Sequence, residues 1–350
     1  MVDNLTIEAY KDRNKIKDCG YLMALPQVAI LSNPWCAHNK KYMPLIRTVV
    51  ARSKNIFHFE LDEDATIPEA LEQFSRTKPT LLIINGGDGT IHTALNFLIN
   101  SKLFVEMPVL AVLATGRANK LAHDLGSDSS PYKVLEKLIK LAQVDSMDER
   151  IVEKSLIKLE VADGRDPFYG VYLKAGALEG QVAHYKAKFK SALLPKRLVS
   201  FFAHAMVFIR ALGNSYKNKD SNVGYTPKSR IRLRGAGEVK IHLFAMLVTT
   251  LSILPSGRMP FGRFGNGSMG FAAVEYGFLS GWRAMVGLMF NKIGKKSILG
   301  IHTRRSGEII MNGVRTITLD GEHIIVDPEA DITINGDTTL KFISFKEPKA

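Results

Sequence analysis

Cysteine is scarce in this 350-residue chain: only Cys19 and Cys36 occur, with no CxxC pair and no Cys/His spacing of the kind that holds zinc. A disulfide framework and a structural zinc site are therefore excluded, and two plain thiols suit a reducing compartment. Long apolar runs are also lacking. The longest, 198–212, contains His204 and Arg210 and falls short of the roughly 20 residues that a spanning helix needs. Residues 1–19 mix acids, bases and asparagine around no apolar core, so no secretory leader is expected and the reading is a cytoplasmic protein. Acidic residues are in the minority, 34 against 47 Lys and Arg, for a net charge of +13. That balance favours a polyanionic partner, whether nucleic acid, an anionic membrane or a phosphate ester. Nucleic acid is disfavoured, because the basic groups are not interleaved with stacking aromatics and no binding module is recognisable. Internal repeats and low-complexity segments are missing as well, which excludes a solenoid.

What is present is a composition able to build a large core: 46% hydrophobic and 23% charged residues. The length indicates two domains rather than one. After an N-terminal extension, 1–24, residues 25–145 alternate short apolar runs (28–31, 55–59, 80–84, 109–113) with amphipathic stretches such as 67–74 and 91–99. This alternation is the mark of a parallel sheet with helices on both faces. Thr66, followed by Pro68 and by Glu69 three positions on, predicts a capped helix start. From 146 to 345 the texture is β-rich (151–161, 168–173, 231–233, 239–251, then a tight series over 308–345), which predicts a mostly antiparallel second domain. Two basic and apolar helical stretches, 183–212 and 281–299, lie inside it.

The sharpest motif is Leu81-Leu82-Ile83-Ile84-Asn85 running into Gly86-Gly87-Asp88-Gly89-Thr90 and then into a helical pattern. A strand, a glycine turn and a helix in that order let backbone N–H groups approach phosphate oxygens, aided by the helix N-terminus. Asp88 would repel phosphate unless a cation or a substrate hydroxyl intervenes, so its presence implies Mg²⁺ or proton chemistry. Taken alone, the motif also reads as a sharp turn with Asp88 as a cap. Ser32-Asn33-Pro34 ends the first strand, and Thr115-Gly116-Arg117-Ala118-Asn119 follows the fourth. Three loops thus converge on the carboxyl edge of the sheet, where ligands of such sheets bind. Far downstream, Asp320-Gly321-Glu322 separates two short strands, which by itself is a common hairpin turn.

Asn33-Pro34, the GGDGT turn at 86–90, the loop and helix from Gly116 to Gly126, and Asp320-Gly321-Glu322 together resemble the diacylglycerol kinase catalytic family, which includes sphingosine, ceramide and bacterial lipid kinases. The similarity spans about 28–345. GGDGT is shared with NAD kinases; in this order with a late DGE it is specific. The resemblance implies a two-domain lipid kinase fold: an α/β nucleotide-binding domain with a parallel sheet, plus a mostly antiparallel β-sandwich domain whose last segment returns to the cleft. It also implies ATP and Mg²⁺ as cofactors and a lipid substrate, most naturally diacylglycerol, with ceramide or a sphingoid base close behind. Gly86, Gly87, Asp88, Gly89 and Thr90 would hold the nucleotide phosphates, Asn33 would border the nucleotide, and Gly116, Arg117 and Asn119 would line it. In this reading Glu322 accepts the proton of the lipid hydroxyl, Asp320 positions it and organises Mg²⁺, and Asp88 links metal, phosphate and hydroxyl.

The chain departs from the family at Arg117 and Lys120, which stand where Thr and Asp are usual, and at Gly265-Asn266-Gly267, where an acidic turn helps bacterial members hold a structural Mg²⁺. A threonine usual near Phe59-Glu60 is missing too. Arg117 would offer a phosphate a planar fork. An anionic membrane surface is expected to be met by 183–212, where Lys186, Lys188, Lys190, Lys196 and Arg197 precede an apolar run. The second contact is 281–299, where Trp282, Met285, Leu288 and Phe290 mix with Arg283, Lys292, Lys295 and Lys296. The protein is accordingly read as peripherally membrane-associated. A core helix with a solvated lysine flank is the other reading of these stretches. An NAD kinase-like enzyme and a non-catalytic nucleotide- or lipid-binding member remain as alternatives, and a homodimer is one assembly open to the chain.

Overall fold

The computed structural model describes residues 27–62, 66–144, 146–178, 228–254, 261, 265–290 and 292–346. The chain begins with β1 (Val28–Ser32), α1 (Asn39–Ala51), β2 (Ile56–Glu60), α2 (Ile67–Thr77), β3 (Leu81–Gly86), α3 (Asp88–Ser101) and β4 (Val109–Ala114). The four strands are parallel in the order β4-β3-β1-β2. Their register sets Val28 opposite both Ile56 and Leu81, and Leu81 opposite Val109. Both β1 and β3 are buried along their whole length, because helices cover each face of the sheet. Ala29, Leu31, Leu82 and Ile84 pack against Leu71 and Phe74 of α2 and Leu95 and Leu98 of α3. Val28, Ile30, Leu81 and Ile83 face Met43 and Ile46 of α1 and Leu135 and Leu138 further on. Burial on two faces is why these strands read as unbroken apolar runs.

The expected start of α2 is present in full. Thr66 N–H donates to Glu69 Oε2 at 2.8 Å, and Glu69 N–H reaches Thr66 Oγ1 at 3.5 Å, a capping box with Pro68 in the first turn.

After the short α4 (Lys120–Asp124) and α5 (Pro131–Gln143), β5 (Ile151–Val161) opens the β-rich part. It continues through β6 (Phe168–Gly170), β7 (Tyr172–Ala175), β8 (Lys228–Leu233), β9 (Gly237–Thr249), β10 (Met269–Glu275), α6 (Phe278–Met289), β11 (Ile301–Ser306), β12 (Glu308–Asn312), β13 (Thr316–Leu319), β14 (Glu322–Ile325) and β15 (Ile332–Ile343). These strands pair antiparallel with one another and form two layers. The chain passes between the layers along β9, whose first half pairs with β8 and whose second half pairs with β7 and β10. Ile157, Leu173, Val248, Phe271, Ile309, Ile317 and Ile334 fill the space between them. The long β15 runs beside β5, and at its end Phe342 pairs in parallel with Leu110 of β4. The last strand therefore extends the sheet of the first part.

Three details depart from the sequence reading. The run 168–173 is two strands, because the N–H of Val171 leaves the ladder for the carboxylate of Asp320 and its carbonyl accepts Thr249 Oγ1. The helix inside 281–299 starts earlier, at Phe278, and gives way to a loop after Met289. Helices α1 and α5 were not singled out; α1 carries Pro44 in its interior and Lys40-Lys41 in its first turn, which blur its period. The stretch 183–212 and the extension 1–24 lie outside the described residues. No helix among the described residues is long and apolar enough to cross a membrane.

Candidate active site

Gly86 ends β3 and Gly87 begins α3 in extended conformation, with no side chain capping the helix. The first N–H groups of α3 lack intrahelical acceptors by geometry and carry the positive end of a 14-residue helix. The loop beneath is held by its neighbours. Asn33 Nδ2 donates to Thr90 Oγ1 at 2.9 Å, and Asn39 Nδ2 donates to the Asn33 carbonyl at 2.7 Å. Cys36 takes part in a way the sequence did not announce: its Sγ accepts the N–H of Gly87 at 3.0 Å and lies 3.7 Å from Thr90 Oγ1.

The second glycine loop packs against the first. A Cβ on Gly116 would stand 2.6 Å from Gly87 Cα, so only glycine permits this approach. Asn119, in the left-handed region at φ 49°, closes the loop by accepting Gly116 N–H at 2.7 Å. Asp88 then ties the two loops together. Its Oδ2 accepts the N–H of Asn119 at 3.0 Å and its Oδ1 the N–H of Lys120 at 2.9 Å. The Lys120 ammonium lies 3.9 Å from the same Oδ1 and 5.0 Å from the centre of the Tyr172 ring. The lysine that replaces an acid thus balances the carboxylate of the glycine turn. Arg117 is exposed on the same loop.

The structure brings the downstream acids to this place. The turn between β13 and β14 holds Asp320 at φ 52° and Gly321 at φ 116°. Glu322 Oε1 comes within 3.6 Å of where a Cβ on Gly89 would be, at the N-terminal turn of α3. Asp320 is buried, and its Oδ2 accepts Val171 N–H at 2.9 Å and lies 3.8 Å from His92 Nδ1. Its Oδ1 is buried with no hydrogen-bond partner. The carboxylate fits there because Gly170 has no side chain: a Cβ would stand 2.5 Å from Asp320 Oδ2.

Further residues build the junction without having been singled out in the sequence. On α3, His92, Asn96 and Asn100 follow one another at i, i+4, a polar line on an otherwise apolar helix. Asn96 both donates to the carbonyl and accepts from the N–H of Tyr169 in β6, at 2.7 Å each. Asn100 donates to the Pro167 carbonyl. Asp124, fully buried, accepts the N–H groups of Ser252 and Ile253 and pairs with Lys154 at 2.8 Å. At the end of β2, where the family threonine is missing, Glu60 is gripped by both Arg47 Nε and its terminal nitrogen. The hydrogen bond from Arg47 holds the Glu60 carboxyl below its ordinary range. Burial lowers the neighbouring His58, whose Nε2 meets Ser32 Oγ at 2.8 Å.

Cavities open on both sides of the glycine turns. One of about 740 Å³ is lined by His38, Lys40, Lys41, Asn119 and His123. Another of about 660 Å³ is lined by His92, Thr93, Asn96, Arg165, Phe168 and Glu322. No group of three or more His, Cys, Asp or Glu side chains that could hold a metal occurs among the described residues. A hard cation takes oxygen ligands, and Mg²⁺ is commonly held by one or two carboxylates plus phosphate oxygens. Asp320, with its unpartnered Oδ1, fits that role. Asp88 has one backbone N–H on each oxygen and the Lys120 ammonium nearby, which leaves it one further lone pair per oxygen.

Residues 27–148 match the model of the diacylglycerol kinase catalytic domain. Curated proteins give no match. Similar solved structures come from Bacillus anthracis str. Sterne and are named as diacylglycerol kinases, two of the following three provisionally. One has 14% identity and a TM-score of 0.61, another 15% and 0.60, and a third 14% and 0.55; each covers 92% of this chain and 98% of its own. At such identities the likeness is one of fold, and it extends over both parts of the molecule. The glycine turn and its position at the sheet edge thus lie within the part of the chain, 27–148, that carries the match to the diacylglycerol kinase catalytic domain.

Proposed function

We propose that the protein is a lipid kinase that transfers the γ-phosphoryl group of ATP to the hydroxyl of a membrane lipid, with diacylglycerol the first candidate and ceramide or a sphingoid base next. The observation that carries this reading is the meeting of Glu322 and Asp320 with the uncapped N-terminus of α3. Anion-binding N–H groups and proton-accepting carboxylates stand together there, as phosphoryl transfer to an alcohol requires.

In this reading the N-terminal turn of α3 binds the nucleotide phosphates, and Arg117, exposed beside it, adds a fork for a phosphate oxygen. Asp88 keeps the two glycine loops in register and stays out of the chemistry. Glu322, which lines the cavity of about 660 Å³, accepts the proton of the lipid hydroxyl as the new P–O bond forms. Asp320, fixed by Val171, offers Oδ1 to a nucleotide-borne Mg²⁺. Such an ion would neutralise charge on the phosphate oxygens. A cavity of about 330 Å³ between the β layers, its lining mixing Ile231, Ile241, Phe271 and Ala273 with Lys296 and Arg304, offers room for part of an amphipathic acceptor.

The test is transfer of label from γ-labelled ATP, with Mg²⁺, to diacylglycerol, ceramide and sphingosine in mixed micelles, with NAD as a soluble competitor. Labelled phospholipid is the expected product. Label passing to NAD alone, or nucleotide binding with no transfer to any acceptor, would replace the proposal by one of its rivals.

A further inference from the structure

Helix α6 is built the wrong way round for a helix bathed in water. A surface helix normally turns its large apolar residues inward. Here the inward side is small: Ala284 is buried against Ile293 and Ile301, and Gly287 lies so close to Ile293 that a Cβ would meet it at 2.8 Å. The outward side carries Phe278, Trp282, Met285 and Leu288 in one stripe, with Leu279 beside it and Phe290 just beyond. Leu279 is 59% exposed, Phe290 62% and, in the loop that follows, Leu299 78%. Single exposed apolar residues are ordinary; a contiguous set on one element marks an interaction surface.

The charge around this stripe is of one sign. Between Glu275 and Glu308 there is no acidic residue, while Arg283, Lys292, Lys295 and Lys296 surround the helix end. All three lysines are exposed. We infer that the outer face of α6 and the cationic loop after it dock on an anionic lipid bilayer, the apolar stripe entering the acyl boundary and the lysines meeting headgroup phosphates. Aromatic and aliphatic groups flanked by lysines are what an interfacial helix needs. The charge also decides between occupants. A second copy of the chain seated on this face by a twofold axis would bring the same lysines towards one another, whereas an anionic surface neutralises them.

The inference rests on the lipid-kinase reading and deepens it. Gly294, Lys296 and Ser297 of the docked loop also line the 330 Å³ cavity. A lipid leaving the bilayer at α6 therefore finds beside the docking face a cavity whose lining mixes apolar strand residues with cations, as a lipid headgroup and its first acyl carbons require.

The experiment is co-sedimentation of the full chain with vesicles of phosphatidylcholine, alone or with one third phosphatidylglycerol, without nucleotide. Wild type is expected to partition strongly onto the anionic vesicles and weakly onto the neutral ones. Leu279→Ser with Trp282→Ser should weaken partition roughly tenfold or more. Lys292→Glu with Lys295→Glu should weaken it by roughly fivefold per charge on anionic vesicles only. Circular dichroism and melting of both variants should match wild type. Equal binding to neutral and anionic vesicles, binding indifferent to both variant pairs, or a stable dimer in sedimentation equilibrium that these substitutions dissociate would each overturn the inference. Turnover of a water-soluble short-chain diacylglycerol, measured in parallel, separates the two readings. Docking with no turnover removes the kinase and keeps the surface; turnover with no docking does the reverse.

Discussion

Asp88 and Asp320 are both carboxylates on glycine turns at one junction, yet the fold treats them oppositely. Asp88 has each oxygen engaged by a backbone N–H and a lysine nearby. Asp320 is more deeply buried and has one oxygen engaged and one with nothing to accept. A satisfied buried carboxylate is a structural member, since its hydrogen bonds offset its desolvation. An unsatisfied one costs stability, by about 1–3 kcal/mol, and such a cost is commonly retained where a ligand or substrate completes the site. In the proposed reading, that difference gives Asp88 an architectural part and Asp320 a part in the chemistry.

The largest effect is expected at Asp320. Asp320→Asn keeps an oxygen for Val171 N–H but removes the negative charge, so transfer should fall by about 100-fold or more while the melting temperature holds; steady-state kinetics beside calorimetry would show it. Asp88→Ala should do the reverse, losing about 2–4 kcal/mol in denaturant unfolding because two charge-assisted bonds to the α4 turn vanish. Asp88→Asn sharpens the contrast, since its single oxygen retains one of the two bonds. If that variant melts like wild type but transfers nothing, Asp88 belongs to the chemistry, as the sequence alone suggested.

Gly116→Ala should cost about 1–3 kcal/mol by forcing the two loops apart, with weaker nucleotide binding by calorimetric titration. The smallest effect concerns Glu60, a carboxylate paired near the surface. Its folded-state pKa lies below its ordinary value, so its contribution is present above the unfolded carboxylate range and lost as pH falls through the folded value. Arg47 is well exposed, so Arg47→Met should cost under about 1 kcal/mol at neutral pH and nothing in acid. His58, lowered by burial, acts in the same direction: the unfolded chain takes up its proton first, so stability declines as pH drops below about 6.5.

Local features were legible in the sequence. The unbroken apolar runs of β1 and β3, the Thr66–Glu69 cap, the glycine turn after β3 and the Asp-Gly hairpin are each written in a few adjacent residues. So was the convergence of three loops at the carboxyl edge. What was not legible depends on partners far apart in the chain. Nothing near Asp88 announces that Asn119 and Lys120 will donate to it. Cys36 read as a plain thiol because its partner is a backbone N–H in another loop. Asn96 looked like an ordinary helix residue until β6 was laid beside it, and the break at Val171 exists only because Asp320 takes its N–H. The departure at Lys120 gained its meaning only in the fold, where its ammonium faces the Asp88 carboxylate.

The pairing of Phe342 with Leu110, and of Phe345 N–H with the Leu125 carbonyl, has a consequence for synthesis. Among the described residues, the outer edge of β4 is sealed by β15, which is synthesised after every other described strand. Until then the nascent α/β half presents an open strand to its neighbours, a template for unwanted pairing. A fragment ending before β15 should therefore aggregate where the full chain does not, with β15 acting as the latch of the α/β half.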